Sequence, residues 1–362
     1  MKRVLVAMSG GVDSSVAAAL LKEQGYEVVG VTMRTWDGEA LPAQTGLRGC
    51  YGPDEERDIE DALRVAGVLD IPFHVLDLRG EYRSQVLDYS RREYLSGRTP
   101  SPCVRCNREV KFGAMVRMAR DCGIGFDLFA TGHYAHVAYD DRSGRCLLRK
   151  ARDMRKDQSY FLFSLSQEQL ACCLFPLGDR TKQEVKQIAA DLGLGIDGKP
   201  ESQDFISGGY SFLVNDSAQP GSILDSEGRI IGQHSGIPYY TIGQRRGLRI
   251  ASQEPLYVTD IDAERNAVIV GRKEELYSDE LTASELNWMV ERPCAPIRAK
   301  ARIRYRHSEA EATIEPLAGD RVSVRFREPQ MAVTPGQAVV FYEDDLVLGG
   351  GTIEGRHCYQ RR

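Results

Sequence analysis

The feature that most constrains this chain is an apolar run, a glycine–serine loop and an alanine-rich run, in that order, near the N-terminus. Val4–Met8 is typical of a buried parallel strand, and Ser15–Gln24 contains strong helix formers. A strand, a glycine turn and a helix leave free backbone N–H groups at the helix start, where anions bind. Gly10 and Gly11 lack a Cβ atom, so the backbone there can approach a phosphate closely. The sequence therefore predicts a phosphate site between the first strand and the first helix.

The loop Ser9–Ser15 has a particular chemistry. It lacks the lysine followed by Ser or Thr that ends a Walker loop. Its sequence, SGGVDSS, resembles the PP-loop of the N-type ATP pyrophosphatases, which cleave ATP between the α- and β-phosphates and adenylate a substrate. A plain turn with two glycines is the alternative, but strand, loop and helix agree with one another. We expect Asp13 to hold the loop or Mg²⁺–pyrophosphate, and capping of the helix is its other possible role.

Strand and helix patterns alternate along the first half of the chain. Strands are predicted at 28–33, 72–77 and 128–130, with helices at 55–68, 81–95 and 107–121. Repeated βα units predict an α/β fold with a doubly wound parallel sheet and ligands at the carboxyl ends of its strands. After Glu201, hairpins and glycines dominate. We predict a catalytic domain at 1–206, a small β-rich domain at 207–277 and a β-barrel-like domain at 278–362.

Composition excludes several classes of protein. The chain has 362 residues and no run of eighteen apolar ones, so no membrane span is expected, and its apolar start is too short for a signal peptide. A net charge of −5 argues against nucleic-acid binding by the whole surface, but leaves room for a local basic groove. Nine cysteines, an odd number, favour thiol chemistry or metal binding over disulfides, and we expect a cytoplasmic protein.

Cys50, Cys103 and Cys106 are the cysteines in functional settings. Cys103 and Cys106 form a Cys-x-x-Cys pair in a loop that prolines are predicted to hold out of regular structure, just before a helix. Cys50 lies in a glycine-rich loop after a parallel strand, which predicts the same sheet edge as the phosphate loop. One Cys-x-x-Cys fits a redox pair, half a zinc site or no function, and the second close pair that structural zinc requires is absent from the sequence.

An ordered series of motifs extends this pattern over nearly the whole chain: 9–14 SGGVDS, 97–107 GRTPSPCVRCN, 130–134 ATGHY, 156–161 KDQSYF, 240–248 YTIGQRRGL and 334–337 TPGQ. With these motifs the chain resembles the bacterial tRNA-specific 2-thiouridylases. Such enzymes adenylate the C2 oxygen of the wobble uridine of tRNA and then replace that oxygen with sulfur.

The resemblance implies roles for individual residues, with ATP, Mg²⁺, tRNA and a sulfur donor (a protein or sulfide) as cofactors and partners. ATP contacts are implied at Ala7, Met8, Ser9, Gly10, Gly11, Val12, Asp13, Ser14, Met33 and Gly132. The target base is implied near Ser101, Pro102 and Cys103, and other tRNA contacts at His133, Lys156, Asp157, Gln158, Arg304 and Tyr305.

One position departs from the family pattern. Many members have a second catalytic cysteine where this chain has Ile206, and isoleucine does not hold sulfur. In one hypothesis Cys50, Cys103 and Cys106 bind three irons of a [4Fe–4S] cluster whose fourth iron is open to sulfide. In the other, Cys106 bears the sulfur, Cys103 resolves the persulfide and Cys50 is incidental. We favour the cluster, because three soft ligands are predicted at one sheet edge.

A basic stripe marks a candidate RNA surface. If 297–307 is one strand, its cations at alternate positions point to one face: Arg298, Lys300, Arg302, Arg304 and Arg306. They could follow a phosphate backbone. Alternatively, a turn at His307-Ser308 would pair Arg306 with Glu309 and Arg304 with Glu311 and neutralise the stripe. The family resemblance favours RNA.

The sequence thus predicts an ATP-dependent enzyme that 2-thiolates the wobble uridine of tRNA, with Cys106, Cys103 and Asp13 as its catalytic residues. A PP-loop synthase that adenylates a small molecule is one alternative, although a small substrate requires neither a basic strand nor two β domains. A non-catalytic RNA-binding protein with a relict nucleotide fold is another.

Overall fold

The computed structural model describes residues 1–39, 41, 49–196, 199 and 204–358. They form two compact units. The first comprises Met1–Val86, Cys103–Gly209 and Asp344–Val347, and the second comprises Leu87–Pro102, Tyr210–Glu343 and the chain from Leu348 onward. No helix among these residues is long and apolar enough to cross a membrane.

The helices are α1 (Val12–Glu23), α2 (Glu55–Val68), α3 (Arg79–Tyr82), α4 (Asp88–Leu95), α5 (Pro102–Arg105), α6 (Met115–Asp121), α7 (Ser159–Leu162), α8 (Gln167–Ala171) and α9 (Lys182–Asp191). Two segments, Arg83–Leu87 and Cys106–Ala114, are π-helical, and Tyr210–Leu213, Ile237–Tyr239 and Lys273–Leu276 are 3₁₀ turns.

The strands of the first unit are β1 (Arg3–Ala7), β2 (Glu27–Arg34), β3 (Gly49–Tyr51), β4 (Phe73–Asp77), β5 (Leu128–Thr131), β6 (His136–Asp140), β7 (Arg145–Arg149), β8 (Cys173–Leu174) and β9 (Asp204–Ile206). The later strands are β10 (Gly221–Leu224), β11 (Ile230–His234), β12 (Tyr257–Asp262), β13 (Ala267–Gly271), β14 (Tyr277–Trp288), β15 (Ile297–Arg302), β16 (Ala310–Leu317), β17 (Arg321–Met331), β18 (Ala338–Glu343) and β19 (Leu346–Cys358).

A parallel sheet forms the centre of the first unit, in the order β4-β2-β1-β5-β8. Val4, Leu5 and Val6 on β1 are fully buried, as the apolar run predicts. The chain moves outward from β1 to β2 and β4, then returns to the other side of β1 at β5. The switch point between β1 and β5 is where ligands bind in such sheets. The predicted doubly wound α/β fold is confirmed.

Helix α1 packs on this sheet through small side chains. Ala17 and Ala18 are fully buried, together with Val16, and the helix is buried on most of its surface. A helix that is apolar on nearly every side requires cover on both sides. α9 provides part of that cover through Val185 and Ala189, which belong to the same core.

The segment with Cys103 and Cys106 differs from the prediction. The helix begins at Pro102 rather than Asn107, so both cysteines lie on helical turns and not in a loop. Proline is favoured in the first turn of a helix, because the N–H group it lacks has no helical partner there. From Cys106 to Ala114 the helix is π-helical, with hydrogen bonds to the fifth residue along. Lys111 therefore lies about one π-helical turn after Cys106 along the chain.

Cys50 also lies in a different element from the predicted loop. It is the middle residue of β3, which pairs in parallel with β9, Gly49 opposite Asp204 and Tyr51 opposite Ile206. The position of Ile206 is thus on the strand next to Cys50.

The second unit contains two β structures. One sheet has the order β11-β10-β13-β12 around Ile223, Val258 and Val268. The other follows β14-β17-β16-β15-β18-β19, and β19 pairs back with β14, which closes a six-stranded barrel. The predicted barrel-like domain is confirmed, whereas the predicted domain limits at 206 and 277 remain predictions.

The basic stripe is shorter than predicted. β15 ends at Arg302, where Arg302 hydrogen-bonds to the carbonyl of Tyr305 and stacks on its ring, so the chain turns instead of extending to His307. Lys300 faces Glu311, so the predicted pairing of Arg304 with Glu311 is wrong. Arg298 and Lys300 are exposed on the strand.

Candidate nucleotide and thiol site

The loop after β1 has the geometry of a phosphate site. Gly10 has φ +68°, and a Cβ atom there would lie 2.1 Å from the carbonyl oxygen of Asp58, so only glycine fits. Ser14 Oγ accepts from the Ser9 amide (3.1 Å) and donates to the Gly11 carbonyl (3.2 Å). The first amides of α1 have no helical acceptors and point out of the helix start. The loop is therefore pre-shaped to bind an anion.

Gly132 brings the end of β5 against this loop. A Cβ atom at Gly132 would lie 2.6 Å from the Ser14 amide nitrogen, so the two chains touch at the switch point. Met33, half-buried, lies near the end of β2, the neighbour of β1 on the other side. The residues predicted to bind ATP thus come from three adjacent strand ends.

Asp13 is held in place by two partners. Lys182 Nζ lies 2.7 and 2.8 Å from its carboxylate oxygens, and the Tyr134 hydroxyl donates to Oδ1 at 2.9 Å. The Lys182 side chain is 12% exposed and that of Asp13 is 30% exposed, so this ion pair is partly shielded from water. The N-cap of α1 is Gly11, without a side-chain hydrogen bond, so capping is not the role of Asp13. Instead, Asp13 ties the phosphate loop to α9.

The segment 156–158 supports the same network. Gln158 Oε1 accepts from the Tyr134 amide at 2.9 Å, and the Gln158 amide donates to the Tyr134 carbonyl at 2.9 Å. Asp157 is buried and accepts from the amide of Ala151 and the hydroxyl of Ser159. Lys156 is half-buried. Asp157 and Gln158 therefore fix the backbone that positions Tyr134 and, through it, Asp13.

A second cluster, called the thiol pocket here, comprises Cys50, Cys103, Cys106, Lys111 and Tyr82. Cys106 is buried, whereas Cys50 and Cys103 are exposed. Burial raises the pKa of Cys106 to about 11; the Lys111 ammonium opposes that rise and Cys50 adds to it. Burial also works to lower the pKa of Lys111, but the thiolates of Cys106, Cys50 and Cys103 outweigh it and raise the pKa. All three cysteines thus interact electrostatically with the Lys111 ammonium.

Tyr82 forms a wall of the pocket. It is fully buried, its hydroxyl donates to the Phe205 carbonyl at 3.1 Å, and its ring stacks on Tyr51 at 5.6 Å. Burial, and then the charges of Cys106, Cys50 and Cys103, raise its pKa well above the usual value. Tyr82 therefore stays protonated, and its hydrogen bond to Phe205 holds β9 next to Tyr82.

His133 connects the thiol pocket to the phosphate loop. It follows Gly132, its Nδ1 lies 2.7 Å from Thr131 Oγ1, and Phe112 and Phe175 flank the ring. Burial, and then the charge of Lys111, lower its pKa well below the usual value, so the ring is neutral at physiological pH. Because the ring of Phe112, next to Lys111, lies 6.0 Å from the His133 ring, the helix that carries Cys106 adjoins the end of β5. Cys50 is on β3, which pairs with β9 in a separate two-stranded sheet.

Comparison with known proteins shows which family the chain belongs to. Residues 2–207 match the family model described as the tRNA methyl transferase HUP domain, 212–272 that of the tRNA methyl transferase PRC-barrel domain, and 278–353 that of the aminomethyltransferase beta-barrel domain. The tRNA-specific 2-thiouridylase MnmA of Moorella thermoacetica is 52% identical over 359 residues, which cover 97% of this chain and 99% of the relative. The chain belongs to the MnmA family.

Another MnmA-family relative, from Symbiobacterium thermophilum, is also named tRNA-specific 2-thiouridylase MnmA and is 50% identical over 362 residues, covering 98% of this chain and 92% of the relative. Likeness to solved structures is distant. A 4-thiouridine synthetase–RNA complex with bound ATP has a TM-score of 0.33 and 16% identity, covering 56% of this chain and 44% of that one.

Other residues that the MnmA family resemblance singled out lie in the second unit. Ser101 Oγ accepts from the amide of Ala338 at 3.1 Å, and Pro102 begins α5. Arg304 Nη2 donates to the Met331 carbonyl at 2.9 Å, and the ring of Tyr305 lies 5.4 Å from the Arg302 guanidinium. Each is therefore held in a defined position within that unit.

Sequence reasoning missed Lys182, Lys111 and Tyr82. Lys182 is 169 positions from Asp13, and no local pattern joins the two. Lys111 is five residues after Cys106, a spacing that an α-helix puts on another face and a π-helix puts on the same face. Tyr82 lies at the start of the predicted helix 81–95, and its sequence context does not mark it as a site residue. The motif at 130–134 contains one usable signal. A buried Tyr134 requires a hydrogen-bond partner for its hydroxyl, and in the structure that partner is Asp13.

Proposed function

We propose that this chain is an ATP-dependent tRNA 2-thiouridylase that acts on the wobble uridine. The main support is that an anion loop at Gly10–Ser14 and the helix that carries Cys106 both adjoin the end of β5, the loop at Gly132 and the helix at His133. Activation by a nucleotide and delivery of sulfur require such neighbours. The MnmA-named relatives, which match over nearly their full length, support the same reaction.

In the first step, the C2 oxygen of uridine attacks the α-phosphorus of ATP. A bond from that oxygen to phosphorus forms, and the bond from phosphorus to the bridging oxygen of pyrophosphate breaks. The first amides of α1 face the negative charge that develops on pyrophosphate, and fixed donors of this kind are effective because they need no reorganisation. Mg²⁺, when bound with ATP, neutralises part of that charge. Asp13, held by Lys182 and Tyr134, keeps the loop in place.

In the second step, a sulfur nucleophile adds to C2, and AMP leaves with the former C2 oxygen. We assign Cys106, with Cys103 one helical turn before it, to the delivery of sulfur. When sulfide is the donor, it displaces AMP from C2 with no change of oxidation state. When a donor persulfide is used, its outer sulfur passes to the Cys106 thiolate, and Cys103 then forms a disulfide with Cys106 as that sulfur is released to C2. Lys111 balances the negative charge of the sulfur species, because it is the cation among the thiols.

The thiol pocket fits an iron–sulfur cluster in its donor chemistry. No three cysteine, histidine or acidic side chains among residues 1–39, 41, 49–196, 199 and 204–358 are arranged to hold a single metal ion. In a cluster each iron has its own ligand, so Cys50, Cys103 and Cys106 would each hold one. Its chemistry would be an open iron that binds sulfide. Cys50 is next to Tyr51, whose ring stacks on Tyr82, and this proximity supports the cluster over a persulfide relay in which Cys50 is incidental.

Ile206 fits this proposal. In many family members the corresponding position is the second catalytic cysteine, and here it lies on the strand paired with that of Cys50. We propose that the chain is a variant in which the third thiol comes from β3 instead of β9.

The tRNA contacts remain part of the proposal. We propose that Ser101, Pro102 and Cys103 lie near the target base, and that His133, Lys156, Arg304 and Tyr305 contact tRNA. Asp157 and Gln158 act by holding the backbone, since their side chains already bond within the chain.

The test is ATP–pyrophosphate exchange and 2-thiouridine formation with unmodified tRNA, in the presence of a sulfide source. We expect exchange that requires tRNA, and thiolated tRNA as product. Exchange with no requirement for tRNA would indicate a small-molecule synthase. Binding of tRNA without exchange would indicate a non-catalytic protein.

The cluster has its own test: iron and sulfide analysis with electronic absorption spectra of anaerobically purified protein. We expect about four irons and four sulfides per chain, and loss of both in Cys50→Ala. An iron-free protein with full thiolation activity, or unchanged iron in Cys50→Ala, would contradict the cluster but leave the thiolation proposal intact.

A further inference from the structure

The loop between Tyr240 and Ile250 in the second unit presents three cations. Arg245, Arg246 and Arg249 are all exposed, and none has an ion pair among the described residues. Carboxylates pair with several other exposed arginines of this unit: Arg229, Arg265, Arg272, Arg321 and Arg327. Arg298 and Arg306 resemble the loop arginines, since neither has an ion pair among the described residues. In a chain of net charge −5, three such arginines within five residues form a local group of positive charge.

The loop is braced from within. Gln244 Oε1 accepts from the Thr241 amide at 3.1 Å, and its Nε2 donates to the Arg246 carbonyl at 3.0 Å. The backbone of Gly243 and Gln244 exchanges hydrogen bonds with Val258 at 2.8 and 2.9 Å. A braced backbone lowers the entropy that a ligand must remove when it binds.

Side chains at both ends anchor the loop in separate cores. Ile242 packs with Leu276 and Ala332, and Leu248 packs in the cluster around Ile223 and Val258. Arg245 and Arg246 lie between these two anchors and Arg249 directly follows Leu248, so all three arginines extend from an anchored backbone.

The backbone of Arg249 is a second sign of function. Its φ is +55°, a region that costs a residue with a side chain on the order of 1 kcal/mol and that glycine adopts freely. The loop uses glycine at its other positive-φ positions, Gly243 and Gly247. Strain that persists in this way clusters at binding sites.

The loop borders the proposed tRNA contact at Arg304. A Cβ atom at Gly243 would lie 3.0 Å from the Cβ atom of Ala332. The residue before Ala332 is Met331, whose carbonyl accepts from Arg304. The loop at 240–250 thus contacts Ala332, and Arg304 contacts the preceding residue, Met331, so the loop and Arg304 lie close together.

We infer that Arg245, Arg246 and Arg249 form a phosphate-binding surface that continues the Arg304–Tyr305 contact along the sugar–phosphate backbone of tRNA. The inference rests on the proposed function. Exposed guanidinium groups on a rigid loop suit phosphate oxygens, since they donate in a planar fork. Contacts to the backbone position RNA without reading its sequence.

The experiment measures the Kd of unmodified tRNA against salt concentration for the full chain. For Arg245→Gln/Arg246→Gln we expect the slope of log Kd against log salt to fall by about 1 to 2, since each phosphate contact contributes about 0.7 to 0.9. Arg245→Lys/Arg246→Lys should restore most of the slope, because lysine keeps the charge. Arg265→Gln removes an arginine of the same unit that is paired with Asp262, and should leave the slope unchanged.

The outcomes separate the inference from the proposed function. If the double Gln variant keeps the wild-type slope while Arg304→Ala loses part of it, the inference is wrong and tRNA binding stands. An equal loss in Arg265→Gln would also overturn the inference, because the effect would then be that of general charge. If the wild-type chain does not bind tRNA, the proposed function itself fails.

Discussion

The phosphate loop and the helix of the thiol pocket both adjoin the end of β5, but the two sites are built in different ways. The loop is a run of consecutive residues whose hydrogen bonds are mostly local, such as Ser14 with Ser9 and Gly11. The thiol pocket combines β3, Tyr82 and the helix from Cys103 to Lys111, and its three cysteines all act on the charge of Lys111. The loop is thus fixed by backbone geometry and the pocket by tertiary packing.

This difference suggests that each region serves one half of the reaction. Damage to the loop should abolish adenylation, and damage to the pocket should abolish sulfur transfer while adenylation continues. Variants that mix the two effects would show that the regions act as one unit.

The largest expected effect is that of Cys106→Ser. Serine neither replaces a thiolate as an iron ligand nor carries sulfur, so 2-thiouridine formation should fall by about 10³-fold or more. tRNA-dependent ATP–pyrophosphate exchange should change by less than about threefold. Mass spectrometry of tRNA nucleosides and an exchange assay measure the two steps. Cys122→Ser, an exposed cysteine outside the pocket, is the control and should keep both activities. Equal loss of exchange in Cys106→Ser would contradict the division of roles.

The next effect is that of Lys182→Met, which removes the partner of Asp13. The carboxylate loses an ion pair at 2.7 Å, so the loop loses its tie to α9. We expect exchange to fall by about 10²-fold, comparable to the loss of one preorganised electrostatic contact. Lys186→Met on the same helix, where the lysine is exposed, should keep full exchange. Normal exchange in Lys182→Met, at saturating ATP, would show that the ion pair serves stability alone.

A smaller effect is expected for Lys111→Met. Without this cation the thiol pocket holds negative sulfur without a counter-charge, so thiolation should fall by about tenfold with little change in exchange. Lys111→Arg keeps the charge and should recover much of the rate. If Lys111→Met and Lys111→Arg lose thiolation equally, fit rather than charge determines the role of Lys111.

The contrast between the two regions also explains what the sequence alone predicted. The glycines, serines and flanking apolar runs of Val4–Leu21 determine a strand, a tight turn and a helix locally, so this region and the parallel sheet followed from pattern. The pocket depends on a π-helical turn that changes which residues share a face, and on the pairing of β3 with β9 across more than 150 positions. The early stop of β15 at Arg302 likewise results from contacts with Tyr305 that alternation does not encode.

The smallest expected effect concerns His133, which lies between the two regions. Its pKa in the folded chain is well below the usual 6.5, because burial and Lys111 disfavour the charged ring. In acid the unfolded chain therefore binds a proton that the folded chain does not, so the stabilisation is complete above about pH 6.5 and is lost as the pH falls below that value. His133→Gln removes this pH-dependent contribution to the unfolding free energy, since glutamine does not titrate.

Between pH 7.5 and 5.5 the wild-type chain should therefore lose up to about 1.4 kcal/mol more of its unfolding free energy than His133→Gln does. Urea unfolding at the two pH values measures the difference, and the values at pH 7.5 give the structural cost of the substitution separately. If both chains lose stability equally on acidification, His133 is solvated and titrates normally in the folded state. In that case Lys111 would not link the thiol pocket to the phosphate loop, and the two regions would have to be treated as separate sites.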